Sequence, residues 1–254
     1  MSEPLAPRPR ATIVVPCYDE QERLDTAAFD DFAAKHEGVR FLFVDDGSRD
    51  GTRRLLESLA RERPAQAQVL ALERNVGKGE AVRQGILQAL EDAPDWVGFW
   101  DADLATPLAE LDRFLAHAAA HPDLEILLGS RVRVLGRTIE RSPLRHYFGR
   151  VAATAVSWLL RLGVYDSQCG AKLFRAEPLG AVFAEPFLTR WIFDVEILAR
   201  WLRLQSDRDS PGIERHIHEI PVGVWRDVSG SRIRPRDVLR APLDLLRIWW
   251  HYRG

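Results

Sequence analysis

Residues 95–111 read DWVGFWDADLATPLAEL. The apolar run from Trp96 to Trp100 ends on Asp101 and Asp103, with only Ala102 between them. A short apolar run closed by turn-forming residues predicts a buried β-strand. Two carboxylates at its tip repel one another unless a cation neutralises them. Oxygen-only ligands suit Mg2+ or Mn2+, and Mg2+ takes one or two protein carboxylates together with substrate phosphates. The pair therefore predicts a metal–diphosphate site. The alternative is a polar strand end, with Asp103 capping the next helix. An isolated D-x-D does not separate the two readings; its position in the fold does.

Four further runs are built alike: ATIVV (11–15), RFLFV (40–44), QVLAL (68–72) and EILLG (125–129). A turn and a helix-like stretch follow each strand, at about 20–36, 51–62, 77–91, 107–120 and 144–162. This alternation predicts an α/β fold, a mostly parallel sheet flanked by helices. Ligands of such sheets bind beyond the carboxyl ends of the strands. The residues there are PCYDE (16–20), DDGSRDGT (45–52), RNVGKGEA (74–81), DADLATP (101–107) and GSR (129–131). Turns alone do not require that density of carboxylates.

The later segments are less regular. GVYDSQCGAKLFRAEPL (163–179) predicts a loop, a strand and a turn, and TRWIFDVEILARWLRL (189–204) an amphipathic helix. Residues 213–235 predict a strand, a Pro-containing bend and a polar loop. Residues 235–254 predict a basic amphipathic helix, bent at Pro242. Neither a repeat nor a linker divides the 254 residues, so a single domain over 1–254 is expected.

Bulk properties exclude several classes. Thirty-five Lys and Arg against 37 Asp and Glu give a net charge of −2, which is no footprint of a nucleic-acid binder. Cys17 and Cys169 are too few for a disulfide framework or a four-thiolate metal site, so a reducing cytoplasm is expected. MSEPLAPRPRA opens the chain without the apolar run of a signal peptide. No segment has the roughly 18 apolar residues of a spanning helix.

At the strand ends, Pro16 is expected to end the first strand and Tyr18 to pack against a flat base. Glu20 either opens a helix or contacts the ligand. Asp45 is placed to accept hydrogen bonds from a base or ribose. Asp46, Gly47 and Ser48 read as a turn, and Asp50 as the N-cap of a helix starting near Gly51. NVGKG (75–79) lacks the Walker pattern, yet its glycines and Lys78 suit a nucleotide at a helix N-terminus.

In order along the chain, TIVVPCYDE, FLFVDDGSRDGT, NVGKGEAVRQGI, DADLATP and GSR resemble glycosyltransferase family 2, with its Rossmann-like GT-A fold. DSQCGAKLF, RWIFDVEIL and WRDVSGSRI are similar to its dolichyl-phosphate β-glucosyltransferase and polyprenyl-phosphate mannosyltransferase branch. The resemblance spans roughly residues 11 to 250. Two features depart from it. The eukaryotic glucosyltransferase of this branch carries an N-terminal membrane anchor, and none is expected from MSEPLAPRPRA, which has no apolar run. LTRWIF (188–193) keeps Arg190 and Trp191 but not the glutamine of the Q-x-x-R-W motif of processive synthases, which disfavours a polysaccharide synthase.

The resemblance implies a nucleotide-sugar half at about 11–131, an acceptor half at 132–234 and a terminal amphipathic helix at 235–254. It implies inverting hexose transfer from a UDP- or GDP-sugar, glucose or mannose, to a polyprenyl phosphate, with Mg2+ or Mn2+ on Asp101 and Asp103. Pro16, Tyr18, Glu20, Asp45, Lys78 and Ala102 would line the donor site with Arg131. Arg226 and Arg232 correspond to a late basic pair closing over the diphosphate. A lipid monophosphate is already an oxyanion, so it needs cations rather than a strong base; Arg141, Arg145 and Lys172 are the candidates. Asp166 and Asp194 are either bases or orienting acids; the alternative for Asp194 is a structural pair with Lys172 or an arginine. Helices pairing arginines with Trp and Leu suit a membrane surface, here the cytoplasmic face, or else bury their apolar side in the core. Transfer to a small soluble acceptor, such as a glycerate, and a silent nucleotide-sugar-binding module are the alternatives.

Overall fold

The computed structural model of the chain describes residues 9–132, 135–140, 143–205, 212–226, 228 and 235–253. Side chains of its central strands alternate between two cores, as the two-residue period of a strand requires. Ile13 and Val15 of β1 (Ala11–Cys17) enter one core and Val14 the other. Phe41 and Phe43 of β2 (Val39–Asp45) oppose Leu42 and Val44 in the same way. In β4 (Trp96–Trp100), Trp96 and Trp100 oppose Val97 and Phe99. Both faces are covered, so these strands read as continuous apolar runs.

Helices α1 (Thr26–Lys35), α2 (Thr52–Glu62) and α4 (Ala109–Ala120) close the first core through Phe29, Leu56 and Phe114. Helices α3 (Lys78–Glu91), α6 (Ala176–Phe183) and α7 (Phe193–Leu204) close the second through Ile86, Phe183 and Trp201. Each such side chain contributes roughly 1.5–3 kcal/mol by leaving water. A third, smaller cluster joins Val156 of α5 (Pro143–Leu160), Val195 and Ala199 of α7, and Ile248 of α8 (Pro235–Tyr252). Packed on two sides, α7 is buried from Phe193 to Leu202.

With β3 (Ala67–Ala71), β5 (Ile126–Ser130), β7 (Ala171–Arg175) and β8 (Ile217–Pro221), the main sheet has the order β3-β2-β1-β4-β7-β5-β8. Every pairing is parallel except those of β7, which runs antiparallel to β4 and β5. Strands β6 (Thr138–Glu140) and β9 (Val224–Arg226) pair separately. The order reverses between β1 and β4, where open α/β sheets form a ligand crevice. Pairing of β1 with β4 reaches only Val14, whereas pairing with β2 continues to Cys17 and Asp45. The two strands part just before the site residues.

Several expectations shift. The first strand runs through Pro16 to Cys17, because a proline without an N–H is tolerated where the β4 ladder has stopped. Glu20 does not open a helix: α1 starts at Thr26, where the Asp25 carboxylate accepts the N–H of Ala28. Asp50 accepts the N–H of Thr52, the first residue of α2. Helix α6 follows β7 where only a turn was expected.

Candidate active site

The carboxyl ends of β1 and β2 are sewn together by side chains. The backbone N–H of Asp19 donates to Ser48 Oγ, and Asp19 Oδ1 accepts the N–H of Arg49. Gln21 N–H donates to Asp50 Oδ2, and Glu20 N–H to Thr52 Oγ1. The buried Glu20 carboxylate takes Arg23 Nε and Nη2 at 2.8 and 2.6 Å. The residues of DDGSRDGT thus build the rim. Asp45 is buried at the strand end, with Oδ1 accepting the Ser48 N–H at 3.1 Å. Tyr18 and Pro16 lie half-buried beside it.

Asp46 fixes the next loop. Its carboxylate accepts the N–H groups of Val76 and Gly77 at 2.6 and 2.9 Å and Asn75 Nδ2 at 3.0 Å. Burial raises its pKa against those bonds and the nearby Arg190. Gly77 has φ +95°, and a Cβ there would lie 2.9 Å from Arg190 Nη2, so the turn requires glycine. The tethered loop starts α3 and delivers Lys78.

Lys78 Nζ meets Asp101 Oδ1 at 2.5 Å. Leaving water disfavours the ammonium, but Asp101, Asp194 and Asp103 together raise its pKa. Asp101 and Asp103 follow β4 as expected, with Ala102 buried between them. Asp103 Oδ1 accepts the Ala105 N–H at 3.1 Å, so it caps its own turn rather than α4. Burial, then repulsion from Asp101, raises the Asp103 pKa. Both groups are hard oxygen donors, and their mutual strain is what a divalent cation relieves; the pair fits Mg2+ or Mn2+.

The antiparallel direction of β7 brings its leading loop to this same edge. Asp101 N–H donates to Gly170 O at 3.1 Å, and a Cβ on Gly170 would come 1.9 Å from Asp101 Oδ2. Beside it, Asp166 accepts Arg131 Nε and Nη2 at 2.6 and 2.7 Å and the Arg131 N–H at 3.0 Å. Burial works against the guanidinium, but Asp166 raises its pKa beyond its already high value. Glu219, on β8, accepts the N–H groups of Tyr165 and Asp166, both at 2.6 Å.

Lys172 is fully buried, its ammonium bonded to Asp194 Oδ1 at 2.7 Å and to Cys169 O at 2.5 Å. Gln168 Nε2 reaches Asp194 Oδ2 at 3.3 Å. Lys172 is thus held inside, with its charge taken up by Asp194. Arg226 is exposed on β9, its N–H bonded to Ala105 O at 3.0 Å. Arg141 and Arg232 lie outside the described residues, as does the side chain of Arg145. Both cysteines are buried thiols: burial raises the Cys17 pKa and carries that of Cys169 to about 11.

Sequence reading missed Gln168, Gly170 and Glu219. Only the CG dipeptide after an acidic loop hinted at Gly170; Glu219 looks like any polar residue in a strand.

The α/β sheet, with an acid pair at its switch point, Lys78 bonded to Asp101 and Arg131 at the end of β5, has the architecture of a GT-A glycosyltransferase. The chain belongs to glycosyl transferase family 2, whose model matches residues 12–183. It is 31% identical to dolichyl-phosphate β-glucosyltransferase of Dictyostelium discoideum over 95% of this chain and 74% of that one. It is 29% identical to the enzyme of that name from Saccharomyces cerevisiae, over 95% and 74%. Its fold matches glucosyl-3-phosphoglycerate synthase from Mycobacterium tuberculosis, solved with Mn2+, UDP-glucose and phosphoglyceric acid. The TM-score is 0.69 at 17% identity, over 95% of this chain and 80% of that one.

Proposed function

We propose that this glycosyltransferase moves glucose from UDP-glucose to a polyprenyl phosphate of the dolichyl type, working at a membrane surface. Glucose and the acceptor class are supported by the names of the relatives, and UDP by the ligand of the structural neighbour. The observation that carries the reading is that both candidate bases are held by cations: Asp166 by Arg131, Asp194 by Lys172. A hydroxyl acceptor needs a free base. A phosphate monoester, with its second pKa near about 6, is already a nucleophilic oxyanion at neutral pH.

The acceptor oxygen attacks C1 of the sugar while the C1–O bond to the diphosphate breaks, and its electron pair leaves with the nucleoside diphosphate. The anomeric centre inverts. Asp101 and Asp103 would hold Mg2+ or Mn2+, which supplies charge neutralisation for the departing diphosphate. Lys78 adds a cation beside them, and Asp166 positions Arg131 as a fork for phosphate oxygens. Asp45 and Tyr18 form the floor for base and ribose, and Arg226 lies at the rim.

The test is a transfer screen with UDP- and GDP-glucose and GDP-mannose, with Mg2+ or Mn2+, against polyprenyl phosphate and glycerate-type acceptors. Glucosyl transfer to polyprenyl phosphate, abolished by a chelator, is expected. Transfer only to a small acceptor, or equal turnover in chelator, overturns the reading.

A further inference from the structure

At the opposite edge of the sheet lies a group unrelated to the acid pair. His117 and His121 stand one turn apart near the end of α4, and His218 lies on edge strand β8, opposite Leu127 of β5. Each offers one nitrogen, and these nitrogens lie within 4.8 Å of one another. His117 Nε2 and His218 Nδ1 are 2.8 Å apart. The rings of His117 and His121 stack at 4.1 Å, and His218 sits edge-on to both, at 5.1 and 4.9 Å. Among the described residues, this is where three metal-ligating side chains of His, Cys, Asp or Glu converge.

We propose that this trio binds a first-row divalent ion of the Zn2+ class, independently of the catalytic metal, and pins the end of α4 to β8. Three imidazoles with a fourth position open to water form a known type of zinc set, whereas Mg2+ prefers oxygen. The second shell is in place: His121 Nδ1 lies 2.7 Å from His117 O. That contact fixes Nδ1 as the donor and leaves Nε2 a lone pair for metal. Burial, then the neighbouring imidazoles, lowers the pKa of His117, and burial and His121 lower that of His218. One proton occupies the hydrogen bond between His117 and His218. On metal binding it moves to that ring's outer nitrogen, so no net proton loss is needed. Nitrogens bound to a tetrahedral zinc at 2.0–2.1 Å are roughly 3.3 Å apart, so this pair opens by about half an ångström. Half-buried rings on a helix end and an edge strand permit that.

The site is tested by titrating chelator-stripped full-length protein with Zn2+ by calorimetry and with Co2+ by absorption, in excess Mg2+. The Asp101→Asn/Asp103→Asn variant should still bind one Zn2+ per chain, melt several degrees higher with it, and give the visible bands of tetrahedral Co2+. His218→Gln and His121→Ala should each weaken binding at least tenfold and abolish those bands, while Mg2+-dependent transfer is unchanged. The proposal is overturned if the aspartate double variant binds no Zn2+, or if both histidine variants bind it as tightly as the parent. Transfer is measured with Mg2+ alone, so failure here leaves the glucosyltransferase reading untouched, and the reverse holds too.

Discussion

At the residue scale, Asp103 carries two costs that act in the same direction. Its folded-state pKa is raised, by burial and by Asp101. A raised carboxyl means that the folded chain holds this proton more tightly than the unfolded one, so ionisation costs stability as pH rises through that value. Asp103→Asn removes the cost. Without metal it should melt no lower than the parent at neutral pH, while transfer falls roughly 10²–10³-fold. Added Mn2+ should raise the melting temperature of the parent but not of the variant. At limiting Mn2+ the acid limb of the parent's pH–rate profile should move to lower pH as Mn2+ is raised, because proton and metal compete for Asp103. Gly170 gives a complementary probe. A Cβ there displaces the Asp101 carboxylate, the movable partner in a 1.9 Å clash, rather than backbone. Gly170→Ala should therefore keep the fold, by circular dichroism, and lose metal-dependent transfer. The placement of Asp101 and Asp103 at a strand end was legible in sequence because the apolar run stops at them. Gly170 was not, since its role exists only once β7 lies beside β4.

At the element scale, direction and partnering escaped the sequence while element type did not. Apolar runs and helix periods located nearly every strand and helix. Nothing in AKLFR says that β7 runs against its neighbours, yet that reversal brings Asp166, Gln168 and Gly170 to the ligand edge. The same insertion buries Lys172 against Asp194 of α7. A buried pair is costly to break from one side, roughly 3–5 kcal/mol, because the remaining charge is stranded. Lys172→Met should destabilise the protein by that amount, and so should Asp194→Leu. The double variant should recover most of the loss in urea unfolding. A double variant that is as stable as the parent but inactive would identify the pair as more than a fold clamp; recovered activity would confine it to that role.

At the scale of the whole molecule, the sheet edge with the acid pair is polar, whereas the α5–α8 side is not. Trp158 of α5 is 79% exposed, and Leu243, Leu246 and Trp250 of α8 are 68%, 57% and 69% exposed. Leu243, Leu246 and Trp250 recur at helical spacing on one face, while Ile248 on the other is buried in the third cluster. The helices are therefore partly core and partly surface, which their sequences alone left open. Arg247 and Arg253 flank the exposed face, the guanidinium of Arg253 4.0 Å from the Trp250 ring centroid. Among the described residues no helix is long and apolar enough to cross a membrane. Apolar residues rimmed by arginine suit insertion at the depth of anionic headgroups instead. Burying each tryptophan in that layer is worth roughly 1.5–3 kcal/mol, about tenfold or more in affinity apiece. The chain should cosediment with anionic vesicles, and Trp158→Ser/Trp250→Ser should weaken this by roughly 100-fold without lowering the melting temperature. If the lipid phosphate is presented from that surface, the variant should also lose transfer to long-chain polyprenyl phosphate in vesicles yet retain it to a short, water-soluble analogue. Equal loss on both acceptors would place the defect in the active site and not at the membrane.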